Sequence, residues 1–150
     1  MDQRQKEALM KQAMLEGRKA RTVCYPNPPV GCLLVKDGEI IARGHTNKPG
    51  EHHAEAMALS QLDSVKNASE GVLAFVTLEP CSFHGRTPSC AKAIVFAGIE
   101  KVYVGMIDPH PKNRGAGISV LEAAGVEVEV GIMKESVEAD LTPYLSIEQC

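Results

Sequence analysis

His53, Glu55, Cys81 and Cys90 are the residues of this 150-residue chain whose types and spacing could do chemistry. They fall in two short stretches, HAEAMAL at 53–59 and PCSFHGRTPSC at 80–90. One imidazole and two thiolates make a donor set suited to zinc. Three protein ligands leave a fourth position open, which marks a catalytic rather than a structural zinc, and water held there is acidified toward a pKa of about 7. Glu55 stands two residues after His53, in the first turn of the same expected helix. From there its carboxylate can reach such a water without being a ligand, as a proton shuttle requires. A closed structural zinc is the alternative: His52, His84 or a further cysteine would then be the fourth ligand, and Glu55 only an acid in a helix first turn.

The elements that must position these residues can be read from periodicity and turn signals. Residues 2–20 carry Leu9, Met10, Ala13 and Met14 near helical spacing, with Gly17 near the end. YPNPPVG at 25–31 is not regular helix, because three prolines remove donors and fix φ. GCLLVKDGEIIARG at 31–44 reads as a hairpin about an Asp37–Gly38 turn. A loop follows, then a helix from His53 to about Val65 with Ala54, Met57, Ala58 and Leu62 on its packed side. GVLAFVTL at 71–78 suits a buried strand, and Pro88–Gly98 a helix opened by proline and closed by glycine. KVYVGMI is another buried strand, GISVLEAAG a helix, VEVEVGI an alternating strand, and the tail from Lys134 has helical character with no assigned role. Each of the three metal-binding candidates therefore falls at or just before the start of a helix, where partial positive charge stabilises thiolate sulfur. Strands alternating with helices imply parallel crossovers with helices on both faces. The expectation is a single α/β domain over residues 1–150, a three-layer α/β/α sandwich with a mixed sheet of about five strands.

Composition narrows the function classes. A net charge of −3 gives no electrostatic grip on nucleic acid or an anionic membrane. No apolar run approaches the roughly 20 residues needed to cross a bilayer, and the charged N-terminus lacks the core of a signal peptide, so a cytoplasmic location is expected. Five cysteines without secretory context point to thiol or metal chemistry rather than a disulfide framework.

The His-x-Glu and Pro-Cys pattern with a second cysteine resembles that of the zinc deaminases, in which the glutamate is the acid/base and not a ligand. Where many of them have two residues between the cysteines, this chain has eight, SFHGRTPS. That loop is similar to the motif of the pyrimidine deaminase of riboflavin biosynthesis, in the cytidine deaminase-like superfamily. PNPPVG at 26–31, VTLEPCS at 76–82, GRTPSC at 85–90 and DPHPKNRGAGI at 108–118 resemble four separated motifs of that family, and the likeness covers roughly residues 5–132. The resemblance implies a zinc ion on His53, Cys81 and Cys90, Glu55 as proton shuttle, and hydroxide attack on an amino-bearing ring carbon. It also implies that Asn27 holds the pyrimidine, Arg86 faces a substrate phosphate and Asp108 contacts the ribose. It implies the same α/β/α fold and a homo-oligomer.

Three positions depart from the family pattern. Thr46 stands where a histidine is common, with His45 one place earlier; Phe83 stands likewise, with His84 next; and His110 replaces an asparagine. Thr46, His45, His84 and His110 are therefore further candidates for substrate contact near the phosphoribosyl group. The 150 residues are expected to form the deaminase domain alone, without the reductase domain that many bacterial members carry. The expected function is hydrolytic deamination of diaminohydroxyphosphoribosylaminopyrimidine. One rival is the same reaction on a cytosine-, guanine- or pterin-like compound. The other is a zinc-stabilised binding domain without turnover.

Overall fold

Asp2 opens the first helix with a capping box: its carboxylate accepts from the Gln5 N–H at 2.8 Å, and Gln5 Oε1 accepts from the Asp2 N–H at 3.0 Å. In this computed structural model, which describes residues 1–62, 70–82 and 89–145, that helix is α1, Gln3–Arg18. Met10, Ala13 and Met14 recur at helical spacing and are all buried, which seats α1 on the sheet.

The sheet has five strands, β1 (Gly31–Lys36), β2 (Glu39–His45), β3 (Val72–Leu78), β4 (Lys101–Met106) and β5 (Glu127–Val130), in the order β2-β1-β3-β4-β5. β1 is antiparallel to both neighbours, while β3, β4 and β5 are parallel. The hairpin forms where expected, with Asp37 and Gly38 both at positive φ, a conformation Asp and Gly tolerate best and one that matches strand twist. β1, β3 and β4 are almost wholly buried because helices cover both faces. On one face α2 (Ala54–Ser60), α3 (Cys90–Ala97) and α4 (Ala116–Ala123) pack in succession. On the other, α1 is tied to α5 (Lys134–Leu141) by Arg18, whose Nε and NH2 donate to the Asp140 carboxylate at 2.8 and 3.1 Å. The architecture is the three-layer α/β/α sandwich with a mixed sheet.

Topology places the site. β2, β3 and β4 finish at the end of the sheet where β1 begins, as the pairings Gly31↔His45, Cys32↔Val76 and Leu78↔Met106 show. Segments 26–30, 46–53, 79–82 and 107–115 therefore meet at one end, outside the carboxyl ends of the parallel strands, where open α/β sheets bind ligands.

Three local expectations are corrected. α2 stops at Ser60 and passes into a turn at Gln61–Leu62; the rest of the stretch expected to reach Val65 lies outside the described residues. α3 begins at Cys90, capped by the Ser89 hydroxyl, which accepts from the Lys92 N–H at 3.3 Å; Pro88 lies outside the described residues. Cys81 does not open a helix but sits with Ser82 in coil after β3, and residues 83–88 lie outside the described residues. Among the described residues no helix is long and apolar enough to cross a membrane.

Candidate active site

His53 is the N-cap of α2, in extended conformation, so its ring projects from the helix mouth while Glu55 enters the first turn. Cys90 is the first residue of α3. Cys81 lies outside any helix, yet the N-terminus of α3 is aimed at it. The Cys90 N–H donates to Cys81 Sγ at 3.3 Å, and the Ala91 N–H and Ser89 hydroxyl donate to the Cys81 carbonyl at 3.0 and 2.9 Å. The electrostatic help expected for Cys81 thus comes from the helix that starts nine residues later.

The donor atoms of His53, Cys81 and Cys90 all lie within 4.8 Å of one another. His53 Nδ1 is 3.2 Å from Cys90 Sγ and 4.0 Å from Cys81 Sγ. Tetrahedral zinc with ordinary bond lengths requires nitrogen–sulfur separations of about 3.6 Å, so the set fits that ion. Charge supports the fit. Cys81 beside it, and then burial, push the Cys90 thiol well above its ordinary value. Burial first, and then the Cys81 sulfur, push Glu55 up to about 7 against the opposing pull of His53 and a backbone N–H. Crowded out of water, these thiols and this carboxyl would be charged together only with a cation among them. Among the described residues this cluster holds no fourth ligand; His84, one candidate for a closed site, lies outside them.

The site forms one wall of a cavity of about 280 Å³, bounded also by Asn27, Pro28, Val30, Thr46, Leu78, Glu79, Asp108, Pro109, His110 and Leu145. Of the sequence-derived candidates, His53, Glu55, Cys81, Asn27, Thr46, Asp108 and His110 line it, and Cys90 stands behind as a donor. Thr46 is buried and stitches the cavity rim, its hydroxyl accepting from the Val30 N–H at 3.0 Å and donating to the Pro28 carbonyl at 2.9 Å. His45 is not part of the lining; its Nδ1 is 2.7 Å from Glu16 Oε2 of α1. Asp108 receives the His110 N–H and the Asn113 amide, one on each carboxylate oxygen, which holds its loop in shape. Arg86, His84 and Phe83 lie outside the described residues.

Two lining residues carry no sequence-based role. Glu79, only 3% exposed, accepts three backbone N–H bonds, from Asp108, Gly115 and Ile118, at 3.0–3.1 Å. It caps α4 and anchors the 108–115 loop to the end of β3. Its place just before Pro80-Cys81 was the available signal. Leu145 follows a 3-10 turn (Thr142–Tyr144) and reaches the cavity from the tail. The spacing of Val137 and Leu141, both buried, marks α5 as packed but gives no hint that the next turn ends at the site.

An α/β/α sandwich with one histidine and two cysteines gathered beside a buried glutamate defines a mononuclear zinc-site class. The family model described as "Cytidine and deoxycytidylate deaminase zinc-binding region" matches residues 3–106. The chain belongs to that family. It is 42% identical to the riboflavin biosynthesis protein RibD of Escherichia coli (strain K12) over 134 residues, 89% of this chain and 36% of that protein. Its structure resembles Acinetobacter baumannii RibD with a TM-score of 0.89 and 39% identity, over 97% of this chain and 40% of that one. The dCMP deaminase of cyanophage S-TIM5 in apo form gives a TM-score of 0.68 and 32% identity, over 87% of this chain and 99% of that one. That phage enzyme is also known in complex with dCMP and dUMP. The chain thus spans well under half the length of the RibD proteins it matches, and almost all of the phage deaminase.

Proposed function

We propose that this chain hydrolyses the exocyclic amino group of a pyrimidine, and that diaminohydroxyphosphoribosylaminopyrimidine, the riboflavin precursor, is its substrate. The observation that carries the reading is Glu55, buried on the wall of the cavity within two residues of one zinc ligand and beside the sulfur of another. When bound, zinc supplies a water acidic enough to attack at neutral pH. His53, Cys81 and Cys90 would hold the ion. Glu55 moves the protons: its buried carboxylate takes one from the attacking water, gives it to the ring nitrogen, and serves again as the C–N bond breaks and ammonia departs. Asn27 holds the ring, its amide able to donate and accept at once. Val30, Leu78 and Leu145 keep bulk water from the reacting carbon. Asp108, held in its loop, faces the ribose, with Thr46 and His110 near it; Arg86 and His84 would meet the phosphate, and those roles rest on the sequence. His45 would act on substrate only through the rim beside it.

A second reading, a cytosine-, guanine- or pterin-like substrate, is motivated by the departures from the family pattern at Thr46 and Phe83. Ammonia release from a panel of such compounds separates the two. Turnover of the diaminopyrimidinone phosphate above all others is expected; turnover only of another base would replace the first reading, and no turnover of any would remove both. The reading includes a cytoplasmic homo-oligomer that binds neither nucleic acid nor membrane. Phe96, 95% exposed on α3, supports a subunit contact, and light scattering checks it.

A further inference from the structure

Cys81 is the one metal-ligand candidate not built into a helix, so something else must hold its backbone. Asn113 does so. Its side-chain oxygen accepts from the Ser82 N–H at 3.0 Å, and its amide nitrogen donates to the Pro80 carbonyl at 3.2 Å. The two contacts fall on the peptide units either side of Cys81, so one carboxamide splints the ligand from both directions. The amide's remaining hydrogen goes to Asp108 Oδ2 at 3.2 Å, and the residue is 1% exposed. Backbone groups cannot exchange donor for acceptor, so Ser82 N–H and Pro80 C=O dictate which way the amide faces. Beneath the clamp, α4 presses directly on the loop: a Cβ on Gly117 would lie 1.8 Å from the Pro80 carbonyl oxygen.

We propose that Asn113 is a positioning residue for the metal centre, fixing the Cys81 sulfur against His53 and Cys90 and coupling it to the Asp108 wall of the cavity. The inference rests on the reading of His53, Cys81 and Cys90 as zinc ligands. Groups that orient ligands in this way typically change metal affinity by about 10–100-fold when removed. Asn113→Asp is nearly isosteric and keeps the acceptor for Ser82, but it loses the donor to Pro80 and sets a carboxylate against Asp108. Asn113→Ala removes every contact.

The test measures zinc affinity by chelator competition, and the thiolate-to-metal absorption of the cobalt-substituted full chain, for native protein and both variants. Val137→Ala serves as a stability-matched control, since Val137 is buried under β4 on the opposite face. Expected are a roughly 10–100-fold weaker affinity and an altered cobalt spectrum in both Asn113 variants, with Val137→Ala less stable but unchanged in both readouts. If Asn113→Ala does not fold, Asn113→Asp decides alone. Native affinity and spectrum in Asn113→Asp, or losses matched by Val137→Ala, overturn the proposal. Failure of the native chain to bind zinc would instead remove the ligand assignment on which it stands.

Discussion

Replacing Glu79 by glutamine is the sharpest probe of how the site is held. Oε1 accepts from the Asp108 and Gly115 N–H groups at 3.1 and 3.0 Å, and Oε2 from the Ile118 N–H at 3.1 Å. Glutamine retains one oxygen, enough for the first two, but its NH2 then opposes the Ile118 N–H. One charge-assisted bond is lost, worth about 1.5–3 kcal/mol, and a buried donor is left facing another donor at a further cost of about 1–3 kcal/mol. The two surviving bonds become neutral and weaken. Because all three share one side chain the losses are not additive, and about 3–5 kcal/mol is the expected total. For a chain of this length that is a fall in Tm of roughly 6–20 °C. With no tryptophan in the sequence, urea unfolding followed by far-UV circular dichroism is the suitable assay. Zinc must saturate both proteins so that ligand linkage does not differ. A loss below about 1 kcal/mol would show that the three bonds do not anchor the 108–118 segment, and the reasoning would fail.

Glu55→Gln should lower turnover by about 10²–10⁴-fold while leaving zinc content and the unfolding midpoint near native, measured by ammonia release and elemental analysis. Chelation of the native enzyme should abolish turnover and added zinc restore it. Glu16 is buried, which opposes its ionisation, but the bond to His45 and the pairing with Lys19 outweigh this and hold its pKa below the ordinary 4.5. Its folded value being depressed, the stability it contributes is present above about 4.5 and is lost as pH falls through the lower folded value. The difference between native and Glu16→Gln in urea should therefore shrink as pH falls through that acid window. Leu145→Ala should raise KM about five-fold, by loss of roughly 1 kcal/mol of apolar contact, with kcat nearly unchanged; an unaltered KM would show that the tail does not contact substrate.

What could be read from the sequence was whatever is written locally. The Asp37–Gly38 turn needs only its own two residues, and the alternation of apolar runs with helical spacing set the layer order. His53, Cys81 and Cys90 were legible because an imidazole and two thiols near a His-x-Glu and a Pro-Cys are chemically conspicuous, although only His53 and Cys90 stand at helix mouths. Glu79 and Asn113 were not, although both lie inside stretches that had drawn notice. A glutamate before Pro-Cys and an asparagine in a turn look like solvated polar residues until the fold brings β3 and α4 together. Leu145 gave no signal at all, since its place depends on how α5 packs beneath β4. His45 and Thr46 show the reverse difficulty. Their neighbourhood marked the right rim, but which one turns inward is decided by strand register: Gly31 pairs with His45, leaving Thr46 to fasten the next residue of the loop.

The direction of β1 has a practical corollary. Because it runs against β3, the hairpin tip at Asp37–Gly38 and the entries to β3, β4 and β5 at Gly71, Gly98–Glu100 and Gly125 all gather at the pole opposite His53, Cys81 and Cys90. An epitope, a fluorophore or an immobilisation tether grafted at the hairpin tip would leave the mouth of the cavity unobstructed, whereas the same graft at Leu145 would begin on the cavity wall.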